Sequence, residues 1–212
     1  MTEFCKTIVE RGLNDYIVWS CDGHVNVMTR EMLHAMRRAN CRYIFYGIEF
    51  GNQRIFSVKG TTLTQIRKAV EMTKEAGITI EGNFMLGYPS ETKETIEETI
   101  ELAKSLECEF TTFSIVTPFP GTPLYDYCKE NNLLQTENWE EYDYFAPGQS
   151  VIKLKNVTDK ELSELYRKAK IDSYFTFVRN KVKKDLFSLI DYEEKVVNEL
   201  NKEAKAMTNV RK

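Results

Sequence analysis

Five residues stand where strand ends are expected and carry groups that can do chemistry: Asp22, Glu49, Asn83, Thr117 and, in the loop after Glu49, Lys59. A carboxylate at such a position can take hydroxyl or amino groups of a ligand through charge-assisted hydrogen bonds, and a lysine can hold a ligand carboxylate. Backbone groups at strand ends, not all used by the ladder, can cradle a flat ring, and Met85 and Val116 stand where that is expected. Each residue also has a plain structural reading. Acidic groups near strand ends cap helices or solvate loops, and Met85 and Val116 fit a core equally well. The residues gain meaning as a set, on one face of a parallel sheet.

Other chemistries find no support. There is no glycine fingerprint for a dinucleotide and no P-loop, and no Ser, Cys or Thr has a plausible His partner. His24 and His34 are the two histidines, and Cys5, Cys21, Cys41, Cys108 and Cys128 are scattered without CxxC spacing, which reads as free thiols in a reducing compartment. Glu3, Lys6, Glu10 and Arg11 interrupt the N-terminus, which argues against a signal peptide, and no apolar run is long enough to span a bilayer, so the cytoplasm is the expected location. The net charge is −3, yet the chain from Lys153 onward carries 15 basic against 10 acidic residues. Interleaved signs favour a solvated helix face there over a nucleic-acid surface.

The elements that must position these residues alternate. Phe4, Ile8 and Val9 share a helical face that closes at Gly12. Tyr16 to Cys21 reads as a strand with an Asp22-Gly23 turn. Thr29 caps a helix with Met32, Leu33 and Met36 inward. Tyr43 to Ile48 is a second strand ending at Glu49, followed by a loop from Phe50 to Gly60. Thr62 and Gln65 form a capping box for a helix whose inner face is Leu63, Ile66, Ala69, Val70 and Ala76, with Gly77 as its C′ residue. Ile78 to Leu86 is a third strand, short and apolar enough to be covered on both faces, broken by Gly87-Tyr88-Pro89-Ser90. A helix from Glu91 to Leu106 buries Ile96, Ile100, Ala103 and Leu106, and Phe110 to Val116 is a fourth strand. A proline-rich loop leads to a short helix from Leu124 to Leu134. After an aromatic loop from Asn138 to Gly148 and a possible strand from Ser150 to Leu154, Thr158 and Glu161 box a long helix, and another starts near Asp185. Strand–helix alternation without hairpins implies parallel strands, in part of a (β/α) barrel or an open doubly wound sheet. From the residues alone this is a ligand-binding α/β domain.

Four motifs in order go further: Cys41 to Glu49 (CRYIFYGIE), Lys59 to Thr62 (KGTT), Ala76 to Thr92 (AGITIEGNFMLGYPSET) and Thr117 to Leu124 (TPFPGTPL). Together they resemble the radical S-adenosylmethionine (SAM) superfamily, in particular the branch whose members often carry an N-terminal cobalamin-binding domain. The likeness covers roughly Phe4 to Leu134. It implies a partial (β/α) barrel, TIM-barrel-like, of which the four strands are the third to sixth, over residues 1–135, with a loop and helical extension over 136–212. In that family a CxxxCxxC loop binds a [4Fe–4S] cluster, and reductive cleavage of SAM yields a 5′-deoxyadenosyl radical. By motif position, Glu49 would lie near the SAM ribose and Lys59 near the methionine carboxylate. Asp22 and Asn83 would face the pocket, and Met85 and Val116 would flank adenine.

The sequence departs from that pattern. CxxxCxxC is absent, the first two strands are absent, Phe50 stands where many relatives have Ser, Asn40 replaces a common Gly, and His24 stands where Arg is frequent. Three expectations follow. The chain is the C-terminal part of a radical SAM enzyme, inactive without its cluster segment. SAM is its own candidate cofactor, while the cluster and cobalamin belong to the longer protein. Finally, the first strand leaves a sheet edge that a second copy or the chain's own tail must cover. The alternatives are a non-catalytic interaction or SAM-binding module, and a different enzyme using Asp22 and Glu49 as acid and base.

Overall fold

The computed structural model describes residues 1–56, 60–143, 150–179, 181–182 and 185. Four strands form one parallel sheet in the order β1-β2-β3-β4: β1 Trp19–Gly23, β2 Cys41–Glu49, β3 Thr79–Leu86 and β4 Phe110–Ile115. Spatial order equal to chain order, with right-handed crossovers, keeps the connecting helices on one face. That is the winding of a barrel wall, not of a doubly wound sheet, whose strand order reverses.

The helices between strands are α2 Arg30–Arg38, α4 Leu63–Glu75 and α5 Lys93–Leu106. Each starts where the sequence supplies an oxygen for orphan amides. Thr29 caps α2, and Thr62 with Gln65 and Thr92 with Thr95 make capping boxes. α4 stops in a Schellman turn: the Gly77 amide donates to the Lys74 carbonyl at 2.9 Å and the Ile78 amide to that of Thr73 at 3.2 Å, with Gly77 left-handed at φ +71°. Their inner faces meet the sheet through Leu33, Met36, Ile66, Val70, Ile96 and Ile100, against Ile44, Tyr46, Ile80, Phe84 and Phe113, all buried. β3 alternates: Ile80, Gly82, Phe84 and Leu86 are buried while Thr79, Glu81, Asn83 and Met85 are half-exposed. It is therefore covered fully on one face, not two, and the polar letters in TIEGNFML mark the open, concave side.

Several boundaries differ from the expected ones. Tyr16 to Val18 is not strand. Its backbone follows a 3₁₀ turn, Leu13–Asp15, and is tied down by the Asn40 amide, which donates to the carbonyls of Asn14 (3.0 Å) and Ile17 (2.7 Å); Tyr16 is 87% exposed. Asp22 and Gly23 extend β1 instead of turning, and Gly23 is required there because a Cβ would meet Ile44, Met28 and Tyr46 at 2.8 Å. The loop after Glu49 contains a helical turn, α3 Gln53–Phe56. α5 begins at Lys93, since Glu91 faces inward before the Thr92 cap. The next helix, α6, is Pro123–Glu130. Ser150 to Leu154 makes a single antiparallel bridge, Leu134 to Ile152, not a strand. α1, Thr2–Glu10, packs on α2.

The Thr158–Glu161 box opens a long helix, α7, over residues 159–179, with Leu162, Leu165, Tyr166 and Ala169 buried in the common core. Asp172 on α7 bridges to Lys104 at 2.6 Å, and Phe177 stacks on Phe110 at 5.2 Å. The extension thus lies on α5 and β4, across the sheet from β1. Among the described residues nothing pairs with the outer edge of β1. Lys59, Tyr144, Phe145 and nearly all of the expected helix from Asp185 lie outside the described residues.

Candidate functional site

The C-terminal ends of β2, β3 and β4 each leave the sheet by a different device. β2 ends on Glu49 in the left-handed region, φ +68°, followed by a tight turn in which the Phe50 amide donates to the Ile48 carbonyl at 3.0 Å. A non-glycine residue there costs roughly 1–2 kcal/mol, which marks the position for attention. The ladder shifts register at the same place, Gly47 pairing with Asn83 and Glu49 with Phe84. The twist turns the carboxylate back over Gly47, where an added Cβ would lie 4.0 Å from Glu49 Oε1. Gly47 leaves that patch of the concave face open.

β3 ends in Gly87, φ +92°, then Tyr88 and Pro89. This turn is closed by Glu91, whose side chain is fully buried. Its Oε2 accepts from the Gly87 amide at 2.7 Å and the Tyr88 amide at 2.8 Å. Burial pushes the Glu91 carboxyl up to about 7 against the pull of those two amides. The Tyr88 ring meets Phe50 edge-on at 5.7 Å, and burial raises its phenol. β4 continues through Val116, whose amide donates to the Leu86 carbonyl at 2.8 Å, into the proline loop, where Thr122 caps α6.

Between these turns lies a cavity of about 440 Å³ lined by Glu49, Phe50, Met85, Tyr88 and Val116, with Ile55 of α3 and Leu124 and Tyr127 of α6 closing the outer side. Its wall is apolar and aromatic, with one carboxylate at the rim. Such a site suits a flat ring carrying hydroxyls that reach Glu49.

Three of the six expected site residues, Glu49, Met85 and Val116, share this cavity. Asn83 sits beside it on the concave face, accepting from the Thr112 hydroxyl opposite Gly47. Asp22 is exposed on the same face, in register with Phe45, and does not line this cavity with Glu49. Lys59 is not described, and Thr117 donates to its neighbour's carbonyl, that of Ile115, at 3.2 Å. Phe50, Tyr88 and Glu91 were not expected. A Glu one residue before a Thr cap and four after a strand-ending Gly was the available signal for the last.

A four-iron cluster finds no ligand set among the described residues. Among the described residues no three His, Cys, Asp or Glu side chains gather to hold a metal ion. Burial pushes Cys41 and Cys108 up to about 12, which keeps these thiols protonated.

A family model described as the radical SAM superfamily matches residues 1–103. An uncharacterized methyltransferase of Pyrococcus horikoshii is 40% identical over 183 residues, covering 85% of this chain and 38% of that protein. The anaerobic magnesium-protoporphyrin IX monomethyl ester cyclase of Cereibacter sphaeroides is 32% identical, covering 76% of this chain and 26% of that protein. Among solved structures, the radical SAM methyltransferase TsrM of Kitasatospora setae, with cobalamin and [4Fe–4S] cluster bound, superposes with a TM-score of 0.57 at 19% identity, over 78% of this chain and 34% of that one. This likeness establishes the fold. The chain spans less than two fifths of the length of each.

Proposed function

Because the chain belongs to the radical SAM superfamily, we propose that these 212 residues form the SAM-holding wall of a larger enzyme. The observation that carries this reading is the meeting of Glu49, Met85 and Val116 around one cavity at the strand ends. There Glu49 would accept hydrogen bonds from the ribose hydroxyls. Met85 and Val116 would hold adenine, largely through backbone, between aromatic walls. Asn83 and Asp22 would face the bound molecule from the concave side, and Lys59 would take the methionine carboxylate.

Glu49, Met85 and Val116 around one cavity support SAM binding, and no ligand set among the described residues supports a cluster. The chain alone would therefore bind SAM without cleaving it, the cluster ligands coming from polypeptide outside this sequence, and any cobalamin from outside it as well. Methyl transfer is the proposed reaction of the whole protein, on the 40% identity to the Pyrococcus horikoshii methyltransferase. The open edge of β1, flanked by Tyr16 at 87% and Val18 at 70% exposure, is the proposed surface for a further strand, from a second copy or from the cluster-bearing segment.

Calorimetric titration of the chain with SAM tests the reading. Binding should be measurable, and Glu49→Ala should weaken it about tenfold, the value of one lost charge-assisted hydrogen bond. Absence of binding would leave a structural module, and equal affinity in the Glu49→Ala variant would remove Glu49 from the site.

A further inference from the structure

Glu91 is a buried carboxyl whose position the cap and helix pattern does not explain. It precedes the Thr92 cap of α5, so it serves no amide of that helix through its side chain. Instead Oε2 takes both amides of the strand-ending turn, Gly87 and Tyr88, while Oε1 is buried with no partner among the described residues. A carboxylate shut away with one oxygen unsatisfied is costly. Its placement on two consecutive amides of a cavity-lining turn shows what it gains.

The surroundings extend the argument to the C-terminal extension. Asn156 donates through Nδ2 to the Glu91 carbonyl at 3.3 Å, and Leu162 of α7 lies 3.3 Å from where a Cβ on Gly87 would be. Residues 156–162 therefore lie over the back of the turn and close it from solvent. On the other side Tyr88 presses its ring on Phe50, the residue after the strained Glu49.

We propose that Glu91 is a positioning residue for the cavity: its carboxyl fixes the Gly87–Tyr88 peptide, and through the Tyr88–Phe50 contact it sets the wall beside Glu49, with the C-terminal extension as the cover that keeps water from the carboxyl. The extension thereby belongs to the ligand site although none of its described residues lines the cavity. The binding arm of the test rests on the SAM reading, and the exchange arm does not.

Two variants separate positioning from support. Glu91→Gln keeps an acceptor oxygen of the same reach. Glu91→Met keeps the volume and removes the acceptor, which leaves the Gly87 and Tyr88 amides unpaired and should lower the melting temperature. Amide exchange followed by mass spectrometry on a peptide spanning Gly87 and Tyr88 should be slow in the wild type and in Glu91→Gln, and faster by about 100-fold in Glu91→Met, a change that Leu106→Ala at a comparable loss of melting temperature should not reproduce. SAM affinity should fall about tenfold or more in Glu91→Met and be held by Glu91→Gln. Leu106→Ala, which opens a gap in α5 away from the turn, should lower the melting temperature and leave affinity in place. Unchanged exchange in Glu91→Met, or lost slow exchange in Glu91→Gln, overturns the proposal. If the wild type binds no SAM, the cofactor reading fails and the exchange result still judges Glu91.

Discussion

Raising the pH should destabilise this protein through one residue. The Glu91 carboxyl has its ordinary value, 4.5, in the unfolded chain and about 7 in the folded one, because burial penalises the charged form more than the Gly87 and Tyr88 amides reward it. A raised folded value means the folded state holds its proton more tightly. The stabilisation is then fully present below the unfolded value and is lost as pH rises through the folded one. A gap of this size corresponds to ~3 kcal/mol across the whole window, most of which falls between about pH 5 and about pH 8. For a domain of ordinary stability that is a large fraction of the total. Urea unfolding followed by far-ultraviolet circular dichroism at the two pH values reads it as a shift in midpoint at constant slope. Glu91→Gln cannot titrate and supplies the reference for all other groups. The wild type should lose ~2 kcal/mol more than Glu91→Gln on going from acid to alkaline pH. Parallel pH profiles in the two proteins would refute the assignment of a perturbed carboxyl at this position.

Gly51→Ala should destabilise more than Gly23→Ala. The added Cβ at Gly51 meets backbone of α5 at 2.5 Å, which yields only if the helix moves, whereas at Gly23 it meets the side chains of Ile44, Met28 and Tyr46 at 2.8 Å. Melting temperatures should place the second near ~1–3 kcal/mol and the first beyond it. Tyr46→Phe should cost only ~1 kcal/mol in urea unfolding, because the Thr73 hydroxyl it bonds at 2.8 Å already donates to the Ala69 carbonyl at 2.7 Å. Leu162→Ala, fully buried and seated on Gly87, should cost ~2–5 kcal/mol by the same assay and speed amide exchange at the Gly87 turn before the rest of the sheet.

What was legible in the sequence is what local chemistry decides. Thr62 with Gln65, Gly77 and Thr158 with Glu161 each satisfy backbone groups within four residues, so the letters alone locate the helix ends. The strand-end positions Glu49, Met85 and Val116 were legible for a similar reason: parallel strands put successive C-terminal ends on one rim. The start of β1 was not, because Tyr16, Ile17 and Val18 favour strand by type, and only the Asn40 amide, reaching back from beyond α2, holds them out of the ladder. Glu91 was not legible either. Its sequence neighbours make it look like first-turn acid of a helix, and the turn it holds is packed by Leu162 and bonded by Asn156, both distant in sequence.

The cavity and the extension are linked by this last point. A wall made of turns has few repeating hydrogen bonds to hold it, so its shape must be imposed by side chains from elsewhere. At β2 that is the left-handed Glu49 and the Phe50–Tyr88 contact, and at β3 it is the Glu91 carboxyl. A buried acid needs a dry cover, and residues 156–162, which bond the Glu91 carbonyl and pack on Gly87, lie against that turn. The price of a shaped turn beside the ligand is thus met by a segment that begins 65 residues further along the chain. That is a physical reason for the extension to remain with the strands it covers.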